Sequence, residues 1–302
     1  MRLGVAATPE VAIPTLEWLL SSKHTIELVI TQPDKPAGRG RVLTQTAVAD
    51  WAQQNKIAVV KPSVSSELIG VINDLDCVIT IGYGVLLPQT ILDLPQYGFL
   101  NLHFSLLPQY RGAAPVQHAL LNGDVQTGIS VFQLDRGMDT GPIYAQIDVA
   151  IEPQWRSFEL LQMLAERGVE AVDKALEMIA QEQLPTPQTG VPSFAPKISK
   201  QDALMDFSKP AHTIVNAIRA YTYEPGAWCL WRSEPFKVSA ATIAEDHLIP
   251  EAAIAVFNNC VFVGCANGTA IELLRVVPAG KKEMDAIDWA RGARLNGGEF
   301  FG

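Results

Sequence analysis

Three side chains in this 302-residue sequence have the types and neighbours needed to move an acyl group onto an amine: Asn101, His103 and Asp139. An amine attacking a carbonyl carbon leaves negative charge on the carbonyl oxygen, and preorganised donors aimed at that oxygen usually give the largest single stabilisation. The Asn101 amide can donate there, and so can a protonated His103. The attacking nitrogen must also shed a proton, which an imidazole or a carboxylate can accept. Asp139 beside His103 would favour the imidazolium, because an opposite charge stabilises the charged form.

The run Gly98-Phe99-Leu100-Asn101-Leu102-His103 reads as a short strand, apolar around two polar residues and bounded by Gly98 and Pro108. Residues i and i+2 of a strand point the same way, so Asn101 and His103 share a face. Parallel α/β sheets bind ligands at the carboxyl ends of their strands, where this pair would lie. Taken alone, the two residues fit a hydrogen-bonded pair finishing a buried strand as well as a catalytic pair. The segment Asp135-Arg136-Gly137-Met138-Asp139-Thr140-Gly141 separates the apolar runs Ile129–Leu134 and Ile143–Ile147. It reads as a hairpin connection rich in turn residues. One Asp suffices to cap such a turn, which leaves Asp139 either as a second turn residue or for another task.

Elements that could carry these residues follow an α/β order. Leu3–Ala7, Ile26–Thr31, Ile57–Val60 and Cys77–Ile81 read as strands, and 9–22, Ala47–Asn55 and Ala114–Asn122 as helices. Strands alternating with helices predict a mostly parallel, Rossmann-like sheet. Apolar residues at helical spacing predict a longer helix from Ser157 to about Gln183, with Gly168 weakening its middle. The Pro-rich stretch after it reads as a linker. A helix over Pro210–Tyr221 precedes short alternating strands at Phe236–Ala240, Ala253–Phe257, Val261–Val263 and Ala270–Val276, which fit a small β-barrel. The expected division is 1–183, a linker over 184–203, and 204–302.

Net charge is −9, of which −8 falls on residues 1–190. That half repels a phosphate backbone except around Lys35, Arg39 and Arg41, a Gly-containing basic loop suited to phosphate contacts. A solvated surface loop explains the same residues. No apolar run approaches the ~18–20 residues of a membrane span. No basic start, long apolar core and small-residue cleavage site precede the first strand, so a cytoplasmic location is expected. Cys77, Cys229, Cys260 and Cys265 lack ligand spacing and read as reduced thiols, with no metal site expected. Arg111 could orient an anionic ligand group, or cap its own turn. Trp228 and Trp231 read as packing residues, with stacking on a base as the alternative.

The segment N-L-H-F-S-L-L-P-Q-Y-R-G-A-A-P at 101–115, followed by T-G and by D-R-G-M-D-T-G at 135–141, resembles the formyltransferases that use 10-formyltetrahydrofolate. The loop Gln32–Arg41, the stretch Phe194–Lys200 and Pro278–Met284 resemble those family members that act on charged initiator tRNA. The resemblance spans about residues 3–300. It implies a Rossmann-like catalytic domain, a smaller C-terminal β-barrel similar to oligonucleotide-binding folds, and a monomer. It also implies that Asn101, His103 and Asp139 form a catalytic trio. His103 would donate to the oxyanion, Asn101 would help hold it, and Asp139 would orient His103 and assist proton removal. Ser105, Leu106, Leu107 and Pro108 would lie against the folate, with Tyr83, Gly84 and Leu86 on a loop lining the pterin pocket. Lys35, Arg39 and Arg41 would contact methionyl-initiator tRNA. The chain departs from the family pattern at Ala7, usually Gly, and at Phe104, usually smaller.

Overall fold

Seven strands of one sheet position the candidate residues. The computed structural model describes residues 1–37, 42–244, 248–295 and 297–302. Two units emerge, the first made of Met1–Pro115, Gln126–Ala150 and Leu161–Pro196. The second comprises Val116–Val125, Ile151–Leu160 and Lys197–Gly302.

In the first unit the chain runs through β1 (Arg2–Ala7), α1 (Ile13–Ser21), β2 (Thr25–Ile30), β3 (Lys35–Ala37), β4 (Val42–Thr44), α2 (Ala47–Gln54), β5 (Ala58–Val60), β6 (Cys77–Ile81), α3 (Gln89–Leu92) and β7 (Phe99–His103). After α4 (Pro115–Asn122) come β8 (Gln126–Gln133), β9 (Ile143–Ala150) and α5 (Ser157–Ala180), which joins this unit from Leu161. The sheet order is β5-β2-β1-β6-β7-β8-β9. Strands β5 through β7 are parallel neighbours, whereas β7–β8 and β8–β9 are antiparallel. β6 is buried at every position, as expected of a parallel strand covered on both faces. β9, at the edge, alternates: Ile143, Ala145, Ile147 and Val149 are buried while Gln146 and Asp148 face solvent. Ala7 sits inside β1 in register with Ile81 and has no positive φ, so its side chain costs no backbone strain.

Leu160, Leu164, Val172, Leu176 and Ile179 form the buried stripe of α5. Gly168 does not break this helix. A Cβ there would stand 2.9 Å from Leu102 Cδ2, so the glycine lets α5 lie directly against β7, between Asn101 and His103 in sequence.

The second unit contains α6 (Ala211–Tyr221), β10 (Ala227–Trp231), β11 (Glu234–Ala244), β12 (Ile254–Phe257), β13 (Cys260–Gly264), β14 (Ala270–Pro278), β15 (Met284–Asp285) and α7 (Ala286–Ala293). The antiparallel order is β10-β11-β14-β13-β12, with β15 beside β14. Residues 299–302 bridge the two edges. Leu230 and Gly302 exchange hydrogen bonds of 2.7 and 2.9 Å, Ile254 N donates to Glu299 O at 2.8 Å, and Phe301 N donates to Ala252 O at 2.9 Å. The expected barrel is thus completed by a short segment that carries no strand signal of its own. Phe301, only 4% exposed, stacks on Phe207 and Trp289 and packs on Phe236. Burial of such rings contributes about 1.5–3 kcal/mol each.

Candidate active site

The chain reverses direction across the sheet between β1 and β6, which is where open α/β sheets leave a crevice at their carboxyl ends. The loop Gly82–Pro88 leaves β6 at that edge, and the loop after His103 leaves β7 beside it. Tyr83 O accepts from Thr8 Oγ1 (3.2 Å) and Gln32 Nε2 (2.8 Å), joining the segments that follow β1, β2 and β6. The Tyr83 ring is buried in the apolar cluster with Ala6, Val78 and Phe99, and burial pushes its phenol pKa up. Only its backbone is therefore available to a ligand. Gly84 turns the loop with φ +72°, and Leu86 is 85% exposed.

Asn101 and His103 project from β7 as the alternation requires, opposite Phe132 and Ser130 of β8. His103 is 6% exposed, with Phe132 edge-on to its ring. Its Nε2 lies 3.0 Å from Tyr110 O. A carbonyl only accepts, so Nε2 carries the proton and Nδ1 is the free nitrogen of the neutral ring. Nδ1 faces Asp139 Oδ2 at 4.0 Å. Burial lowers the His103 pKa, against the upward pull of the Asp139 charge and the Tyr110 carbonyl. The imidazolium expected from the neighbouring carboxylate is thus not the resting form, because desolvation of a buried ring outweighs one charge at this distance.

Asp139 divides its labour with Asp135 as the turn chemistry suggested. Asp135 Oδ1 accepts from Gly137 N (3.0 Å) and Thr140 Oγ1 (2.6 Å), capping the turn. Asp139 Oδ2 instead accepts from Gly112 N at 2.7 Å, which turns the carboxylate towards His103. Gly112 has φ +126°, and a Cβ there would stand 2.6 Å from Ala195 O, so no other residue fits without displacement. Thr80 Oγ1 lies 2.7 Å from Asn101 Oδ1, holding the amide oxygen back. Asn101 Nδ2 has no partner among the described residues. Thr80 and Gly112 are site residues that sequence reading missed; nothing in their spacing distinguished them.

The loop after His103 is built by internal hydrogen bonds. Ser105 Oγ donates to Gln109 O (2.6 Å), Ser130 Oγ accepts from Leu107 N (3.0 Å) and donates to Ser105 O (2.7 Å), and Gln146 Nε2 donates to Leu107 O (3.0 Å). Ser105, Leu107 and Phe104 are buried, while Leu106 and Pro108 are half-buried. The Arg111 guanidinium donates to Gln188 Oε1 at 2.6 Å rather than capping its own turn.

Lys35 is exposed on β3 and donates to Gln32 Oε1 at 2.6 Å. Arg39 and Arg41 lie outside the described residues. Trp228 Nε1 donates to Lys200 O (2.8 Å) and Trp231 Nε1 to Glu299 Oε2 (2.9 Å). Cys77, Cys229 and Cys265 are buried and Cys260 is partly exposed; burial pushes the Cys77 thiol up to about 12. Among the described residues no cluster of three His, Cys, Asp or Glu could hold a metal ion, and no helix is long and apolar enough to cross a membrane.

Comparison with known proteins agrees with this geometry. The formyl transferase family matches residues 5–176, and the formyl transferase C-terminal domain matches 197–294. The methionyl-tRNA formyltransferase of Thermobifida fusca is 44% identical over 310 residues, covering 100% of this chain and 99% of that protein. That of Salinispora tropica is 42% identical over 307 residues, covering 99% of each. Among solved structures, an N-formyltransferase from Helicobacter canadensis in complex with folinic acid and dTDP-3-aminofucose superposes with a TM-score of 0.69. It is 20% identical and covers 90% of this chain and 98% of that one, a likeness of fold. A free amide donor beside a buried neutral imidazole and a carboxylate, on this fold and with these relatives, leads to one conclusion: the chain belongs to the formyltransferase family, with the methionyl-tRNA formyltransferases.

Proposed function

We infer that this enzyme transfers the formyl group of 10-formyltetrahydrofolate to the α-amine of methionyl-initiator tRNA, giving N-formylmethionyl-tRNA for translation initiation. The observation that carries the chemistry is Asn101 Nδ2, without a partner among the described residues, beside His103 and Asp139, a donor set that fits a ligand bearing an acceptor oxygen. The co-substrate supplies a formyl group attached to nitrogen and open to attack by an amine.

The protein's own groups do the rest. Asn101 Nδ2 donates to the formyl oxygen as negative charge builds on it. His103 rests neutral and accepts at Nδ1 the proton that the attacking amine releases. The charge this creates is balanced by Asp139 at 4.0 Å. Nδ1–H then donates to the oxyanion and returns its proton to the departing nitrogen, leaving His103 neutral again. Protons balance: one leaves the amine and one reaches the leaving group. Ser105, Leu106, Leu107 and Pro108, with the backbone around Tyr83, Gly84 and Leu86, hold the folate. Lys35, Arg39 and Arg41 contact tRNA phosphates. Residues 1–183 are the catalytic domain, 184–203 the connection and 204–302 the tRNA-binding domain of a metal-free, cytoplasmic monomer.

The test is formylation of charged initiator tRNA from 10-formyltetrahydrofolate, with a His103→Ala control and free methionine as a competing acceptor. Label on methionyl-tRNA alone, reduced at least ~10²-fold in the variant, is the expected result. A folded His103→Ala protein within about threefold of the parent rate removes the assignment. Transfer to an amino sugar, or release of formate, would move the acceptor and leave the trio in place.

A further inference from the structure

Gln188 lies in the Pro-rich stretch that reads as a linker, yet its carboxamide is saturated by the active-site loops. Nε2 donates to Asp139 O at 2.8 Å and to Gly141 O at 2.9 Å, while Oε1 accepts from Arg111 Nη2 at 2.6 Å. A guanidinium has only donors, so Arg111 dictates which end of the amide faces it. Both Nε2 hydrogens must then point at the two carbonyls. The carbonyl they reach belongs to the residue whose carboxylate faces His103, and Asp139 has φ +54°, a left-handed conformation that a non-glycine residue keeps only where its surroundings hold it.

The neighbours of Gln188 anchor it at both ends. Thr186 exchanges backbone hydrogen bonds with Ile143 at the start of β9 (2.7 and 2.9 Å). Arg111 N donates to Ser193 O at 2.9 Å, and Ala195 N donates to Arg111 O at 2.8 Å. Ser193 Oγ also accepts from Tyr110 N at 2.8 Å, beside the carbonyl that fixes the His103 tautomer. Residues 186–195 therefore strap the loop carrying Asp139 to the loop carrying Tyr110 and Gly112.

We propose that Gln188, oriented by Arg111, is a positioning residue for catalysis: it holds the Asp139 backbone so that the carboxylate meets both Gly112 N–H and His103. This rests on reading Asp139 as a member of the catalytic trio. It also explains why Arg111 stands between Tyr110 and Gly112, since its side chain and its own backbone grip the same strap.

A double-mutant cycle on the full-length enzyme tests it, with formylation of methionyl-tRNA at saturating co-substrate as the readout. Gln188→Ala should lower kcat at least about tenfold, because small misplacements of a catalytic group are costly, with KM for both substrates within about twofold. Gln188→Glu keeps the acceptor for Arg111 but presents carboxylate oxygens to two carbonyls, and should lose at least as much. In an Asp139→Ala background, Gln188→Ala should cost less than about twofold more, since residues acting through one another are not additive. Circular dichroism and melting curves establish that each variant is folded. Asp139→Ala with near-parental activity would overturn both the trio and this role. A large loss in Asp139→Ala with Gln188→Ala and Gln188→Glu near the parent would overturn the positioning role alone, as would full additivity in the cycle.

Discussion

Replacing Asp139 by Asn isolates the charge that His103 feels. The amide keeps an oxygen able to accept from Gly112 N–H, the contact that holds the side chain at 2.7 Å. Only the negative charge 4.0 Å from His103 Nδ1 is lost. Two unit charges at this separation interact by about 4 kcal/mol at an effective dielectric of ~20 and about 1 kcal/mol in water. The carboxylate therefore holds the His103 pKa above the level that burial alone would set. Both side chains are largely buried, at 6% and 16% exposure, so water screens the pair less than it would at the surface. The sign follows from the resting state. Burial already lowers the His103 pKa and Asp139 opposes that, so removing the charge lowers it further. On the proposed mechanism the neutral ring accepts the proton, hence the acid limb of kcat/KM, which reports the free enzyme, moves to lower pH while the plateau falls. Initial formylation rates from about pH 5 to 9, with tRNA aminoacylation checked at each point, measure the limb. An unmoved limb, or one displaced upward, would refute both the resting protonation state and the role of Asp139.

Three further outcomes follow from the same geometry. Asn101→Ala removes the unpartnered donor and should cost about 10²–10³ in kcat with little change in folate affinity, as steady-state kinetics and equilibrium binding would separate. Gly112→Ala should damage both stability and rate, because its Cβ would approach Ala195 O to 2.6 Å at φ +126° and displace the N–H that holds Asp139; melting temperature and kcat together read this. Phe301→Ala should destabilise the second unit by about 3–5 kcal/mol, visible in urea unfolding followed by the fluorescence of Trp231 and Trp289, which its ring cluster contains.

Much of the machinery was legible in one dimension. Period-two alternation is a direct consequence of strand geometry, so the sequence alone places Asn101 and His103 on one face. Two carboxylates in a seven-residue turn announced that one was surplus, and Asp135 does cap while Asp139 does not. Other signals were present but overlooked. Ala286, Trp289 and Ala290 recur at helical spacing and form the buried face of α7, yet the element is short and interrupted by Gly292. The Pro-rich stretch hid its contacts for a physical reason: its composition excludes helix and regular ladder, but isolated backbone pairs at Thr186, Ser193 and Ala195 need neither.

By itself the sequence determined the alternating α/β order, the shared face of the β7 pair and the family motifs, all of which depend on local spacing. Tertiary structure alone decided which groups meet. Gln188 reaches the Asp139 backbone carbonyl from 49 residues away, and Gly112 N–H reaches the Asp139 carboxylate from 27, distances along the chain that no local pattern encodes. It also decided the charge on His103. The types predicted an imidazolium stabilised by a carboxylate, but the folded chain buries the ring, and the lost hydration outweighs the one charge opposite it.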